Sequence, residues 1–371
     1  MRKFAICSGA FAFLVSILIV PSAVFASTKT AKSYARVNRY SVSQPVGYNP
    51  AQIRHAYGFD QISATGAGKL IAIVDAYHSS SIATSLAQFS ATYNLNQLNG
   101  TNGKPSCSIS AGPHPCFEVV YADGKKPAAN SGWTIESTLD VEWAHAVAQK
   151  ADILLVEAHS SSLDNLLSAV DVASARYPSA VSMSWGGSEF STESQQGSHF
   201  PNGATRYVAA SGDDGSGVSF PAVAANVIGV GGTSITLSNS GTRLSAETAW
   251  SGSGGGISKY IAQPSFQKSI LSSGKRSDPD VSYAADPNHG FSVYLSGSGW
   301  AEVGGTSAGA PQWAAALTLA PSLNLPGLYG HQSNFTDILS GSNGSCGTIC
   351  KAHSGYDYIT GLGVPSATLF R

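Results

Sequence analysis

Five short runs rich in β-branched and small apolar residues punctuate the chain: KLIAIVDA (69–76), ADILLVEA (151–158), AVSMSW (180–185), RYVAASGD (206–213) and NVIGVGG (226–232). Between them lie stretches of helical periodicity around Ile82 to Thr92, Ile135 to Gln149 and Leu163 to Arg176. Continuous apolar runs suit strands covered on both faces, and their alternation with helices predicts an α/β domain with a largely parallel sheet. The domain is expected to occupy residues 48–371. Residues 27–47 are polar, rich in Ser and Lys and without periodicity, so they are expected to form a flexible lead-in. In such sheets ligand sites gather beyond the carboxyl ends of the strands, where Asp75, Trp185 and Asp213 stand.

Composition narrows the functional classes. Only 12% of the residues are charged and the formal net charge is -1, so nothing favours nucleic acid or an anionic membrane as a partner. A sparse ionic surface loses little when carboxylates protonate, which is compatible with work in acid. The N-terminal MRKFAICSGAFAFLVSILIVPSAVFAS combines two cations, an apolar run and a small-residue exit. It is expected to be a signal peptide over residues 1–26, cut after Ala26, and to make the product secreted and free of the membrane. Cys7 would leave with it. The four remaining cysteines are expected to form two disulfides, and closeness in sequence favours Cys107 to Cys116 and Cys346 to Cys350 among three connectivities.

The segment GGTSAGAP (304–311) places Ser307 at the start of a helix expected to run to about Leu319. There, free backbone N–H groups and the positive end of the helix dipole can stabilise an oxyanion beside the hydroxyl. Two bases compete for the Ser307 proton. One is His145, in a subtilisin-type set Asp75, His145 and Ser307. The other is the acid pair Glu136 and Asp140, four residues apart and therefore on one helix face. At about 100° per residue, His145 lies roughly 180° around the helix from Glu136, so only one candidate can face the serine. A close carboxyl pair can share a proton, leaving Glu136 to accept from Ser307 while Asp140 tunes it. Asp213, in ASGDDG, can donate to an oxyanion only when protonated. With ordinary carboxyl pKa values of about 3.9 and 4.3, a neutral Asp213 and a half-ionised pair coexist at roughly pH 3–5, which predicts an acid enzyme. Near the C-terminus, Asp337 and Asp357 lie in turn-rich sequence whose oxygens suit Ca²⁺ rather than a transition metal.

Taken in order, YNPAQIRHAYGF, IAIVDAY, ESTLD, SMSWGG, ASGDDG, AWSGSGGGIS, GGTSAGAP and TDI…GYDYITGLG resemble the sedolisin family, the serine-carboxyl peptidases, over most of the chain from Tyr48 to Leu369. The resemblance implies a subtilisin-like fold in a single catalytic domain. It also implies Ser307 as nucleophile, Glu136 as base, Asp140 as its partner and Asp213 as the oxyanion acid. Behind the acid pair it places a hydrogen-bonded layer of Asp75 and Trp185. It further implies one Ca²⁺ held near 335–365 by the Asp337 and Asp357 carboxylates with the carbonyls of Ile338, His353 and Gly355. The implied activity is endopeptidase cleavage of proteins or peptides by a secreted monomer. The alternatives are the subtilisin-type enzyme using His145, and a catalytically silent secreted scaffold that binds calcium.

Overall fold

The computed structural model describes residue 1, residues 29–41 and residues 43–370. The expected signal peptide lies outside the described residues apart from residue 1. In chain order the main elements are β1 (Lys32–Ser33), β2 (Arg36–Ser41), α1 (Pro50–Ala56), β3 (Leu70–Ala76), α2 (Ile82–Thr92), β4 (Phe117–Tyr121), α3 (Ser131–Val147), β5 (Asp152–Ala158), α4 (Leu163–Ser174) and β6 (Ala180–Met183). They continue with β7 (Trp185–Ser188), β8 (Arg206–Ala210), β9 (Ser219–Phe220), β10 (Val227–Ser234), β11 (Thr248–Ala249), β12 (Gly256–Ala262), β13 (Lys275–Asp278), β14 (Val281–Ala284), β15 (Phe291–Leu295), β16 (Gly299–Gly304) and α5 (Gly309–Leu319).

The central sheet has the order β11-β10-β8-β6-β3-β5-β4, with β14 also paired to β10. All its pairings are parallel except β10 with β11. This is the subtilisin-like α/β architecture in one domain. The alternation of strand side chains divides the interior into two cores. Ile71 and Ile73 of β3, with Ile153 and Leu155 of β5, pack with Trp143 of α3 and the alanine-rich α5. Ala72, Val74, Leu154 and Val156 point the other way and pack with Leu166, Leu167 and Val170 of α4. Period-two alternation within uniformly apolar strands is what allows helices to cover both faces.

Helices α3 and α4 carry their start signals in the sequence. The Asn130 side chain accepts from the Trp133 N–H at 3.1 Å at the head of α3, and Ser162 accepts from Asn165 at 3.3 Å at the head of α4. Helix α3 is buried continuously from Glu136 to Val147, so its acids enter the interior instead of a solvated face.

The lead-in departs from expectation. Within residues 27–47, β1 pairs antiparallel with β7 (Lys32 opposite Gly186, Ser33 opposite Trp185), and β2 pairs antiparallel with β16. The order comes from edge strands waiting elsewhere in the fold, which no local periodicity records. The strands β4, β11 and β14 also add to the sheet beyond the five runs read from sequence.

Candidate active site

Ser307 sits in a single turn of 3-10 helix, Thr306–Ala308, that leads into α5, and it is fully buried. The turn is entered through Gly305 at φ +102, a backbone conformation that disfavours any side chain. Space demands glycine there as well. A Cβ on Gly305 would lie 1.9 Å from the Tyr34 carbonyl oxygen and 2.6 Å from Asp213 Oδ2.

The structure brings the two acids of α3 to this serine. Glu136 and Asp140 are completely buried on the face turned towards the 3-10 turn. The Ser307 hydroxyl stands beside the Glu136 carboxyl and offsets part of the rise that burial imposes on it, although the nearest acceptor in full hydrogen-bond geometry is the Ser184 carbonyl at 3.3 Å from Oγ. Glu136 Oε2 accepts the Ala35 backbone N–H at 2.7 Å, while Oε1 is left without a partner. Asp140 Oδ1 accepts the Ser184 hydroxyl at 2.9 Å. Burial pushes both acids well above the ordinary carboxyl range, and the charge of Asp75 is the next cause for each. Asp75 is itself raised to about 7, by burial above all. Three neighbouring carboxyls in a dry environment cannot all be ionised, so the cluster retains protons and exchanges them internally.

The layer behind the pair is only half as expected. Asp75 is there electrostatically, but neither of its oxygens has a hydrogen-bond partner in full geometry. Trp185 does not hydrogen-bond to the acids, because its indole N–H donates to the Val74 carbonyl at 2.8 Å and is thereby spent on the sheet. Ser184, which precedes it, makes the contact with Asp140 instead; its position in SMSWGG was the available signal.

Asp213 lies at the carboxyl side of β8 with its side chain completely buried. Its Oδ1 accepts both the backbone N–H of Thr306 at 2.9 Å and the Thr306 hydroxyl at 2.8 Å. Its Oδ2 meets Arg36 Nε at 3.2 Å. Burial raises Asp213 to about 6 against the pull of Thr306 and Arg36. Below that pH the carboxyl carries a proton and can donate through Oδ2, the oxygen that Thr306 does not hold. Thr306 and Arg36 were not foreseen from sequence: the threonine adjoins the expected nucleophile, while the arginine comes from the stretch read as flexible.

His145 is remote from this chemistry. It is nine residues on from Glu136, about 13 Å along the helix axis and on its other side. Its Nε2 lies 2.8 Å from the Asn96 carbonyl, and burial lowers its pKa to about 4. Glu142, the remaining buried acid of α3, accepts the Tyr294 N–H at 3.0 Å.

Both disulfides, Cys107 to Cys116 and Cys346 to Cys350, are formed. The expected calcium residues come together in part. Asp337 Oδ2 accepts the Gly355 N–H at 2.8 Å, and Asp357 Oδ2 accepts the His353 N–H at 3.4 Å, so both carboxylates converge on one turn. Asp357 also takes the N–H groups of Ile359 and Thr360. Among the described residues no three of His, Cys, Asp and Glu gather to hold a metal. A cation here would therefore rest on two carboxylates and backbone carbonyls, a hard all-oxygen set that fits Ca²⁺ by its chemistry.

The profile of the Subtilase family matches residues 122–337. Kumamolisin from Bacillus sp. (strain MN-32) is 31% identical over 374 aligned residues, covering 88% of this chain and 63% of that protein. Xanthomonalisin from Xanthomonas sp. (strain T-22) is 35% identical over 175 residues, which span 39% of this chain and 21% of that protein. The chain thus spans less than two thirds of the length of these relatives. Among solved structures, Pseudomonas sedolisin, a serine-carboxyl proteinase complexed with pseudo-iodotyrostatin, superposes with a TM-score of 0.72 at 24% identity, over 87% of this chain and 96% of that one. No described helix is long and apolar enough to cross a membrane.

Proposed function

This chain belongs to the sedolisin family within the subtilases, and from that premise we propose that it is a secreted, acid-active serine-carboxyl endopeptidase acting on proteins or peptides as a monomer. The observation that carries the reading is the placement of the Ser307 hydroxyl between a buried acid cluster and a further acid, Asp213, fixed by the adjoining Thr306. Glu136 takes the Ser307 proton as Oγ attacks the substrate carbonyl. Asp140, tied to Ser184, and Asp75 hold the remaining proton of the cluster and set the basicity of Glu136. Protonated Asp213 donates to the oxygen that becomes negative. The acyl-enzyme on Ser307 is then hydrolysed by water with Glu136 acting in reverse. Secretion rests on the N-terminal sequence pattern alone. Casein hydrolysis at pH 4 tests the activity: wild type is expected to digest it and Ser307→Ala to be inert, and equal activity in both would refute the assignment.

Ca²⁺, when bound, would supply a structural cross-link between the 337 and 353–357 loops. The carboxylates of Asp337 and Asp357 and the carbonyls of Ile338, His353 and Gly355 would hold it. Adding Ca²⁺ to chelator-treated protein is expected to raise Tm by roughly 5 °C at saturating ion. The rise should vanish in Asp337→Asn; an unchanged wild-type Tm would remove the site from the account.

A further inference from the structure

Glu157 is a buried carboxyl that the mechanism above does not use. It stands near the end of β5, whose side chains are otherwise apolar apart from Asp152 at the start, and it is completely buried. In the sheet register it pairs with Asp75 on β3. Counting by twos from Ile73 and Leu155, both acids point to the face that α3 covers with Glu136 and Asp140. Four buried carboxyls therefore form one string: Glu136, Asp140, Asp75 and Glu157. Charge links its members. Asp75 adds to the rise that burial imposes on Glu136 and Asp140, and Glu157 adds in the same way to the rise of Asp75.

The far end of the string meets an imidazole. Glu157 Oε2 lies 2.7 Å from His78 Nδ1, and Oε1 accepts the Ser79 N–H at 3.0 Å. Burial raises Glu157, and the Ser79 N–H and His78 draw it back. The chain returns over this carboxyl because it turns sharply after β3. Tyr77 takes φ +65, a conformation uncommon outside glycine, and its N–H donates to the Ala158 carbonyl at 2.8 Å. His78 is fixed from its other side as well: its N–H donates to the Ala128 carbonyl at 2.9 Å, and its ring stands edge-on to Tyr121 with centroids 5.9 Å apart. The His78 side chain is 11% exposed, so it stands between the dry string and solvent. Lys126 also acts on Glu157, but it is exposed and screened. Asp123 and His159, in the loops after β4 and β5, pair with each other at 3.3 Å.

We propose that His78, acting through Glu157, is a positioning residue of the catalytic acid cluster and sets the lowest pH at which Glu136 serves as base. The proposal rests on the peptidase reading above and deepens its pH dependence. In acid an imidazole is a cation, and it favours the ionised form of the carboxyl it touches. The more negative charge Glu157 holds, the less Asp75 ionises beside it. A neutral Asp75 spares Glu136 and Asp140 the repulsion of another anion, so the negative charge they share stays available to take the Ser307 proton. Without the cation, Glu157 gains a proton more readily. Asp75 then competes for the negative charge, and Glu136 loses it at a higher pH.

The test is the pH dependence of kcat/KM on a short chromogenic peptide from pH 3 to 8, for wild type, His78→Gln, His78→Asn and His78→Lys, with thermal unfolding recorded alongside. Both neutral variants should move the acid limb upward by about one pH unit, a roughly tenfold loss at pH 3, and leave the alkaline limb in place. His78→Lys keeps a cation and should restore the wild-type limb. In a Glu157→Gln background, His78→Gln should shift the limb no further, and a further shift there would overturn the route through Glu157. An unmoved acid limb in folded His78→Gln or His78→Asn overturns the inference and leaves the peptidase reading standing. A lysine variant shifted as far as the neutral ones does the same, since the imidazole would then only shape the turn. Misfolding of all three variants assigns His78 to the structure of that turn and also overturns the inference. A wild type that digests no casein at pH 4, or digests it equally after Ser307→Ala, overturns the reading beneath and the inference with it.

Discussion

Asp213→Ala is expected to lower kcat at pH 4 by about 10²–10³-fold with little change in KM, the usual cost of removing one oxyanion donor. The loss falls on kcat because the aspartic acid proton is needed most when the carbonyl oxygen becomes negative. Asp213→Asn separates donor from acid. An amide can donate without first gaining a proton, so this variant should retain far more activity than the alanine at pH 4. The wild-type profile carries the sign of the effect. Burial raises the Asp213 carboxyl to about 6, so the donor is present below that pH and is lost as pH rises through it. In Asp213→Asn that alkaline limb should move upward or flatten. Steady-state kinetics on a short chromogenic peptide from pH 3 to 8 check both points, and identical limbs in wild type and Asp213→Asn would remove Asp213 from the oxyanion site.

Much of the frame was legible because it depends on local pattern. The runs at 70–76, 152–158 and 227–234 are apolar on both faces, and only a covered strand accommodates that. The spacing of Glu136 and Asp140 put both acids on one helix face, and the half-turn to His145 removed the histidine from it. What escaped the reading is tertiary in origin. TAKSYARV has neither strand alternation nor helical period, and its order is supplied by the edge of β7 and the glycine-lined pocket around Tyr34. Likewise the direction of the Trp185 indole is set by an open carbonyl at Val74, which no sequence spacing reveals. The partners Ser184 and Thr306 stand beside motifs that were recognised. Short hydroxyl side chains carry no periodic signal, so their role emerges only when strand and helix ends converge.

The contrast between Ser307 beside a carboxyl cluster and His145 tied to Asn96 also bears on how acid and neutral proteases can share one frame. A histidine base is silenced below its pKa, whereas a buried carboxyl cluster keeps one exchangeable proton in the acid range. Asp75, which a histidine-based triad would use to orient an imidazole, here adds to the rise that burial imposes on Glu136 and Asp140. Glu136→Gln preserves shape and burial but can accept no proton from the serine.

The most direct measurement is therefore kcat/KM at pH 4 for Glu136→Gln and His145→Gln, side by side with wild type on the same peptide. Glu136→Gln should fall by about 10³-fold or more, and His145→Gln should stay within roughly threefold of wild type. Retained activity in Glu136→Gln, with loss in a folded His145→Gln, would contradict the account at its centre.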